Sequence, residues 1–257
     1  MPTTNEYIRS GGLTRQFLLH IPANLLPQPR VVIHLHGGEG TGKQSLALWK
    51  KWEEHGVILI MPYGEAPGKP SRWVAIGNGG SQQRDPIDED FLLQLPLLAQ
   101  SRHGAATTML TGFSSGGGMV HHMHAFHADK FDCFVPMSKG LGRGLLSITP
   151  PALRPVRLVF GTADDNYADD GADGTIDAAS TFASYLGRIP GASHTRHREA
   201  GTATTAITLA YTGAVWMEYA RVHPMPHRVP KDELGDPWDG VDQAIRFGSE
   251  AAGIRHL

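Results

Sequence analysis

The chain has 257 residues, 40% of them hydrophobic and 19% charged, with a formal net charge of −2. That composition is ordinary for a globular protein with one large core. With Lys and Arg scattered and no basic run, neither nucleic acid nor an anionic membrane is expected as a partner. Residues 1–257 are expected to form a single domain, with 1–12 a flexible N-terminal segment. No basic start followed by an apolar stretch opens the chain, and no apolar run approaches the ~20 residues that span a bilayer, so a cytoplasmic location is expected. Cys133 is the one cysteine; it excludes an internal disulfide and reads as a buried strand thiol.

Apolar runs alternate with helical stretches, which predicts an α/β chain with a mostly parallel central sheet and helices on both faces. Phe17, Leu19 and Ile21 alternate in an outer strand closed by Pro22. Val31 to His36 is a short buried strand ending in Gly37-Gly38. Ser45 to His55 reads as a helix stopped by Gly56, and Val57 to Met61 as a strand. Glu65 to Arg84 is a long Gly/Pro/Ser-rich loop carrying Trp73. Asp88 to His103 is a helix in which Pro96 implies a kink. Thr107 to Thr111 is a strand running into a Gly-rich turn, followed by a helix over Ser115 to Ala128. Phe131 to Met137 and Val156 to Phe160 are strands, and Ala178 to Leu186 a helix. Ala206 to Tyr211 and Val215 to Val222 are strands, and Val241 to Ala252 a closing helix.

Gly112-Phe113-Ser114-Ser115-Gly116 has the G-x-S-x-G pattern between a strand and a helix, where it makes a strained elbow that lifts a serine hydroxyl above the sheet. This context predicts an α/β-hydrolase fold with Ser114 as nucleophile. A serine needs a base, itself oriented by an acid, and in this fold the chain order is Ser, Asp or Glu, His. Asp164 follows the strand ending Phe160-Gly161, with Asp165 a close rival. His227 lies past the last strand, with His223 the alternative at the strand end. The oxyanion hole needs two backbone N–H donors, and Ser115 and Gly38 are expected to supply them, with Glu39 next in line after Gly38. Tyr63, Trp73 and Met137 are candidates for the wall of the substrate pocket.

With these residues in order, the chain resembles the esterases related to polyhydroxybutyrate depolymerases and feruloyl esterases. The resemblance runs from about Arg15 to Phe247 and rests on six segments. They are Leu35-His36-Gly37-Gly38, Met61-Pro62-Tyr63-Gly64, Arg72-Trp73, Asp88-Glu89-Asp90-Phe91, the serine turn through Gly117, and Phe160-Gly161-Thr162-Ala163-Asp164. It implies a serine carboxylic ester hydrolase working without a cofactor on a small-molecule or oligomeric ester, polyhydroxyalkanoate-like or aromatic in its acyl part. A serine peptidase or amide hydrolase on the same fold is the alternative. His227 departs from the family pattern: it follows Pro224-Met225-Pro226 and precedes Arg228-Val229-Pro230, where the family has a glycine run and Thr-Trp-Pro. With neither leader nor cysteine pair, the chain points to a diffusible ester rather than a polymer.

Gly37-Gly38-Glu39-Gly40-Thr41-Gly42-Lys43-Gln44 nearly spells a P-loop, but Gln44 stands where a Mg²⁺-binding hydroxyl is needed, and Ser45 is one residue late. Nucleotide binding is therefore a weak third reading. His121, His124 and His127 recur on one predicted helix without an i+4 partner or carboxylate, so no metal is expected there. The acidic stretch from Asp164 to Asp177 lacks the spacing of a Ca²⁺ loop.

Overall fold

The computed structural model describes residues 3–66, 69–70, 72–78, 84, 86–165, 174–189, 193–199, 204–212, 215–230, 234 and 244–248. In chain order the strands are β1 (Thr3–Ser10), β2 (Leu13–His20), β3 (Arg30–Leu35), β4 (Ile58–Pro62), β5 (Glu65–Ala66) and β6 (Lys69–Pro70). They continue with β7 (Thr107–Phe113), β8 (Cys133–Met137), β9 (Val156–Gly161), β10 (Ser193–Glu199), β11 (Thr204–Thr212) and β12 (Val215–His223). The helices are α1 (Gly42–Trp49), α2 (Ile87–His103), α3 (Ser115–His127) and α4 (Ala178–Leu186).

Ten strands make one sheet in the order β1-β2-β4-β3-β7-β8-β9-β12-β11-β10, while β5 and β6 pair as a separate ribbon. From β4 to β12 every neighbouring pair is parallel, and the flanking pairs are antiparallel. The central strands are apolar on both faces because helices cover both. Val31, Ile33 and Leu35 of β3 join a cluster with Phe91 and Leu95 of α2, Met119 and Met123 of α3, and Tyr185 of α4. Val32 of the same strand joins the opposite cluster, with Leu46 and Trp49 of α1 and Ile245 and Phe247. The expected α/β architecture is thus the observed one.

Several element expectations need correcting. The N-terminal segment is an edge strand: β1 pairs with β2 along its whole length through a two-residue turn, in which Gly11 and Gly12 take φ of 57° and 80°. Glycine accepts the left-handed backbone such a hairpin demands. The helix expected to run to His55 ends at Trp49, and a 3-10 turn (Lys50–His55) carries the chain to Gly56 at φ 67°. By contrast, α2 runs through Pro96 as one helix, as expected. Strand β10 lies where none was expected. Of the closing helix, residues 244–248 are helical and the rest lies outside the described residues, as does part of the 65–84 loop. Among the described residues, no helix is long and apolar enough to cross a membrane.

The chain steps from β3 to β4 on one side and then crosses back to β7 on the other, from which β8 and β9 follow, so strand order reverses between β3 and β7. In open parallel sheets the crevice beyond the strand carboxyl ends at such a point is where ligands bind. The turn after β3 holds Gly37-Gly38, and the turn after β7 holds Ser114.

Candidate active site

At the end of β7 the chain reverses into α3 through Ser114, which sits at φ 53° and ψ −116°. That conformation is unfavourable for a non-glycine residue by about 1–3 kcal/mol and needs a surrounding that enforces it. The Ser114 N–H donates to Met137 O at 2.9 Å, and the Ser114 carbonyl accepts from Gly118 N at 3.0 Å. The flanking glycines are steric necessities, because a Cβ on Gly112 would strike the Gly116 carbonyl group and one on Gly116 would overlap Leu35 O.

The loops after β9 and β12 are stitched together. Thr162 N donates to Val222 O and Ala163 N to Met225 O, both at 3.0 Å. Gly161 lets the Met225 carbonyl pass where a side chain would collide. This stitching sets Asp164 beside His227, whose Nδ1 lies 3.0 and 2.9 Å from Asp164 Oδ1 and Oδ2. His227 Nε2 in turn lies 2.9 Å from Ser114 Oγ. The Asp164 side chain is fully buried and the imidazole 37% exposed, so the carboxylate is hidden behind a reachable ring. Phe113 packs against that ring with centroids 4.8 Å apart. Between the rival residues, Asp165 is exposed and His223 Nδ1 bonds Thr162 Oγ1 at 2.6 Å; it is His227 that meets Ser114, and Asp164 that meets His227.

His36 shapes the turn after β3. Its Nε2 accepts from Gly64 N at 3.0 Å, which leaves Nδ1 to carry the proton it donates to Gly37 O at 2.8 Å. Burial lowers its pKa and keeps the ring neutral in this role. A Cβ on Gly37 would lie 3.0 Å from the Phe113 ring and 3.5 Å from Ser114 Cβ, so this turn packs directly on the elbow. Gly38 follows, exposed, and Glu39 after it takes φ 63°. The Gly38 and Ser115 amides therefore lie on turns that pack against each other at Ser114.

The three pocket-wall candidates are placed differently. Trp73 is 1% exposed and Met137 is fully buried, so neither side chain is open to a substrate. Trp73 instead braces the site, with Nε1 donating to His36 O at 2.9 Å and its N–H to Ser115 Oγ at 3.3 Å. Met137 contributes its carbonyl to Ser114. Tyr63 is partly exposed and lies at the end of β4, against the start of α1.

Asn78 escaped the sequence reading. Its Nδ2 donates to Trp73 O at 3.1 Å and to Ser115 O at 2.8 Å, tying the Trp73 loop to the first turn of α3. Gly118 leaves the space for it. Nothing local in the sequence marks a contact across thirty-seven residues. The Asp88-Glu89 pair also gains a meaning. Asp88 binds Arg15 and the Val74 N–H, at 2.5 and 2.7 Å, and so holds the same loop. Glu89 is buried, which alone would raise its pKa, but hydrogen bonds from Arg84, His122 and His127 hold it well below the usual carboxylate range.

The other predicted features resolve into structure. In the P-loop-like stretch, Gly40 N is bonded to Gly37 O and Gln44 N to Thr41 Oγ1, so two amides that would cradle a phosphate are engaged in a turn and a helix cap. On α3, His121 bonds Tyr185 Oη and Lys139 O, while His122 and His127 bond Glu89. Burial pushes His121 down to about 4 and His124 to about 3. His34, its ring tilted against Trp49, is likewise pushed down to about 3. Of the acidic stretch, Asp177 caps α4 by accepting from Ser180 N, and residues 166–173 lie outside the described residues.

A parallel sheet covered on both faces, with a serine elbow at the switch point and a carboxylate and histidine on later loops, is the α/β-hydrolase fold. No family model matches the chain. A bifunctional acetylxylan esterase/xylanase of Neocallimastix patriciarum is 23% identical over 244 residues, covering 94% of this chain. The chain spans about a third (35%) of that relative's length. Among solved structures, an acetyl xylan esterase from Aspergillus awamori superposes with a TM-score of 0.64 at 15% identity, over 98% of this chain and all (100%) of that one. Est1E from Butyrivibrio proteoclasticus, solved with ferulic acid bound, gives 0.61 at 13% identity over 96% and 99%. The poly(3-hydroxybutyrate) depolymerase LpqC from Bordetella parapertussis gives 0.54 at 12% over 72% and 77%. The α/β-hydrolase fold with esterase likeness read from the motifs is therefore what the comparisons return.

Proposed function

We propose that this chain is a serine hydrolase of the carboxylesterase type, with Ser114, His227 and Asp164 as its catalytic triad. The observation that carries the reading is the unbroken run of hydrogen bonds from Asp164 through His227 to Ser114 Oγ, each 2.9–3.0 Å. In this reading His227 Nε2 takes the hydroxyl proton as Oγ attacks the acyl carbonyl, and the Gly38 and Ser115 N–H groups hold the oxyanion. Collapse of the tetrahedral intermediate breaks the bond to the alcohol oxygen, which leaves with the proton from His227. Water, deprotonated by the same imidazole, then adds to the acyl-enzyme, and a second collapse releases the acid and restores the serine. Asp164 keeps the proton on Nδ1 and stabilises the imidazolium. These steps close without a cofactor.

The substrate class is a small or oligomeric ester. The names of the similar proteins support an ester over an amide, and the solvent-reachable histidine supports a site open at its rim. A fluorophosphonate should label Ser114, located by mass spectrometry of the modified peptide. Ser114→Ala should lose both the label and turnover of p-nitrophenyl acetate. Full turnover by that variant would overturn the reading, and faster cleavage of aminoacyl amides than of matched esters would transfer it to the peptidase class.

A further inference from the structure

Arg72 is exposed at the edge of the crevice, on the loop whose next residue braces the site. Its Nε lies 3.7 Å, and its Cγ 4.0 Å, from the point where a Cβ on Gly38 would sit. Gly38 adjoins Gly37, which packs on Ser114. The guanidinium therefore lies beside the turn expected to hold the oxyanion.

Two further observations separate Arg72 from a surface arginine of no consequence. Its backbone is fixed: Trp73 N and Nε1 bind Ser115 Oγ and His36 O, Val74 N binds Asp88, and Gly64 packs on the Arg72 carbonyl. Its head is uncommitted: among the described residues it has no ion-pair partner, whereas Arg15, Arg84 and Arg102 are each paired with a carboxylate. Among the described residues no carboxylate pairs with it, and the Asp164 side chain is fully buried against His227. A fixed backbone and a forked cation unpaired among the described residues, at the mouth of a site, make a receptor for a carboxylate, which guanidinium binds through two parallel hydrogen bonds.

We propose that Arg72 selects esters bearing a carboxylate a short distance from the scissile bond. The inference rests on the hydrolase reading above. An acyl chain of about three carbons, at ~1.5 Å per bond, would bridge from a carbonyl at Gly38 to the guanidinium. The carboxylate could equally stand on the alcohol, and the chemistry recognised is the same.

The test compares kcat/KM for two substrate pairs of like size. Mono-p-nitrophenyl succinate and p-nitrophenyl butyrate place or omit the charge on the acyl side; 4-acetoxybenzoate and phenyl acetate do so on the alcohol side. Arg72→Gln should lower kcat/KM for a charged member by ~10–100-fold, the usual worth of a charge-assisted pair, and change its neutral match by less than about twofold. Arg72→Lys should keep part of the preference, and added salt should erode it in the wild type but not in Arg72→Gln. The pair that responds identifies the side that carries the carboxylate. Equal changes in charged and neutral members, or no change in any, would overturn the proposal while leaving the hydrolase reading intact. A wild-type protein inert to all four esters would overturn both.

Discussion

Asp88→Asn would probe the tie between the core and the site. Arg15 and Asp88 are both fully buried and 2.5 Å apart. Arg15 also donates to Ile87 O at 3.0 Å and Tyr63 O at 3.3 Å, and its guanidinium lies 4.3 Å from the Phe91 ring centroid. The pair therefore joins β2, the end of β4 and the start of α2, while the second carboxylate oxygen holds Val74. Asparagine keeps the shape but leaves the Arg15 charge in the interior without its counter-ion. Breaking one half of a buried pair lowers stability by about 3–5 kcal/mol, a large share of the roughly 5–15 kcal/mol that holds a typical fold together. At about 2–4 °C per kcal/mol for a chain of this size, Tm should fall by about 6–20 °C. Guanidinium denaturation and calorimetry would measure both quantities. The double change Arg15→Met with Asp88→Leu should recover part of the loss, because neither desolvated charge remains, although Ile87 O, Tyr63 O and the Val74 N–H lose these partners. A single variant within about 1 kcal/mol of wild type, or a double variant less stable than the single, would refute the reasoning.

Other expectations follow from the site and its surroundings. Asp164→Asn should lower kcat by about 10³–10⁴-fold with an unchanged circular dichroism spectrum, while His223→Ala should stay within about fivefold of wild type; the reverse ranking would move the base to His223. His34, His121 and His124 are held neutral by burial, at about 3, 4 and 3, whereas in the unfolded chain they take up protons near 6.5. The unfolded state binds more protons over that window, so stability should decline as the pH falls from about 6.5 towards about 3 and level off below. Denaturation midpoints that hold steady or rise between pH 7 and pH 4.5 would contradict this. Burial pushes the Cys133 thiol far above its ordinary range, so a disulfide reagent should titrate it only after denaturant is added.

Local chemistry carried much of the reading. The serine elbow, Asp164 and His227 each stand just past a strand end, and motif, strand context and chain order were enough to nominate them. The choice against Asp165 and His223 needed three dimensions, since it turns on how the loops after β9 and β12 are stitched through Ala163, Met225 and Gly161. Edge strand β1 was hidden because one side of it meets water: Tyr7 is 59% exposed, and no apolar period distinguishes the segment from a polar tail. The Gly11-Gly12 turn was its available signal. The burial of Trp73 and Met137 was hidden for a related reason, since an aromatic or soft side chain near a strand end has the same sequence signature whether it lines a pocket or fills the core. Asn78 gains its role only through partners that folding brings to it, Ser115 above all.

The loop that delivers His227 has a further consequence. Pro224, Pro226 and Pro230 surround the histidine, and between them Met225 and Val229 are buried. A proline-studded segment nailed down at two points has little freedom left to surrender when a substrate arrives. If His227 is the catalytic base proposed above, the imidazole is thus set before binding, and less of the binding energy goes into ordering it. On the proposed reading, the same stiffness makes this side of the mouth a template rather than a glove: an ester that does not match its contour would meet a wall that does not yield.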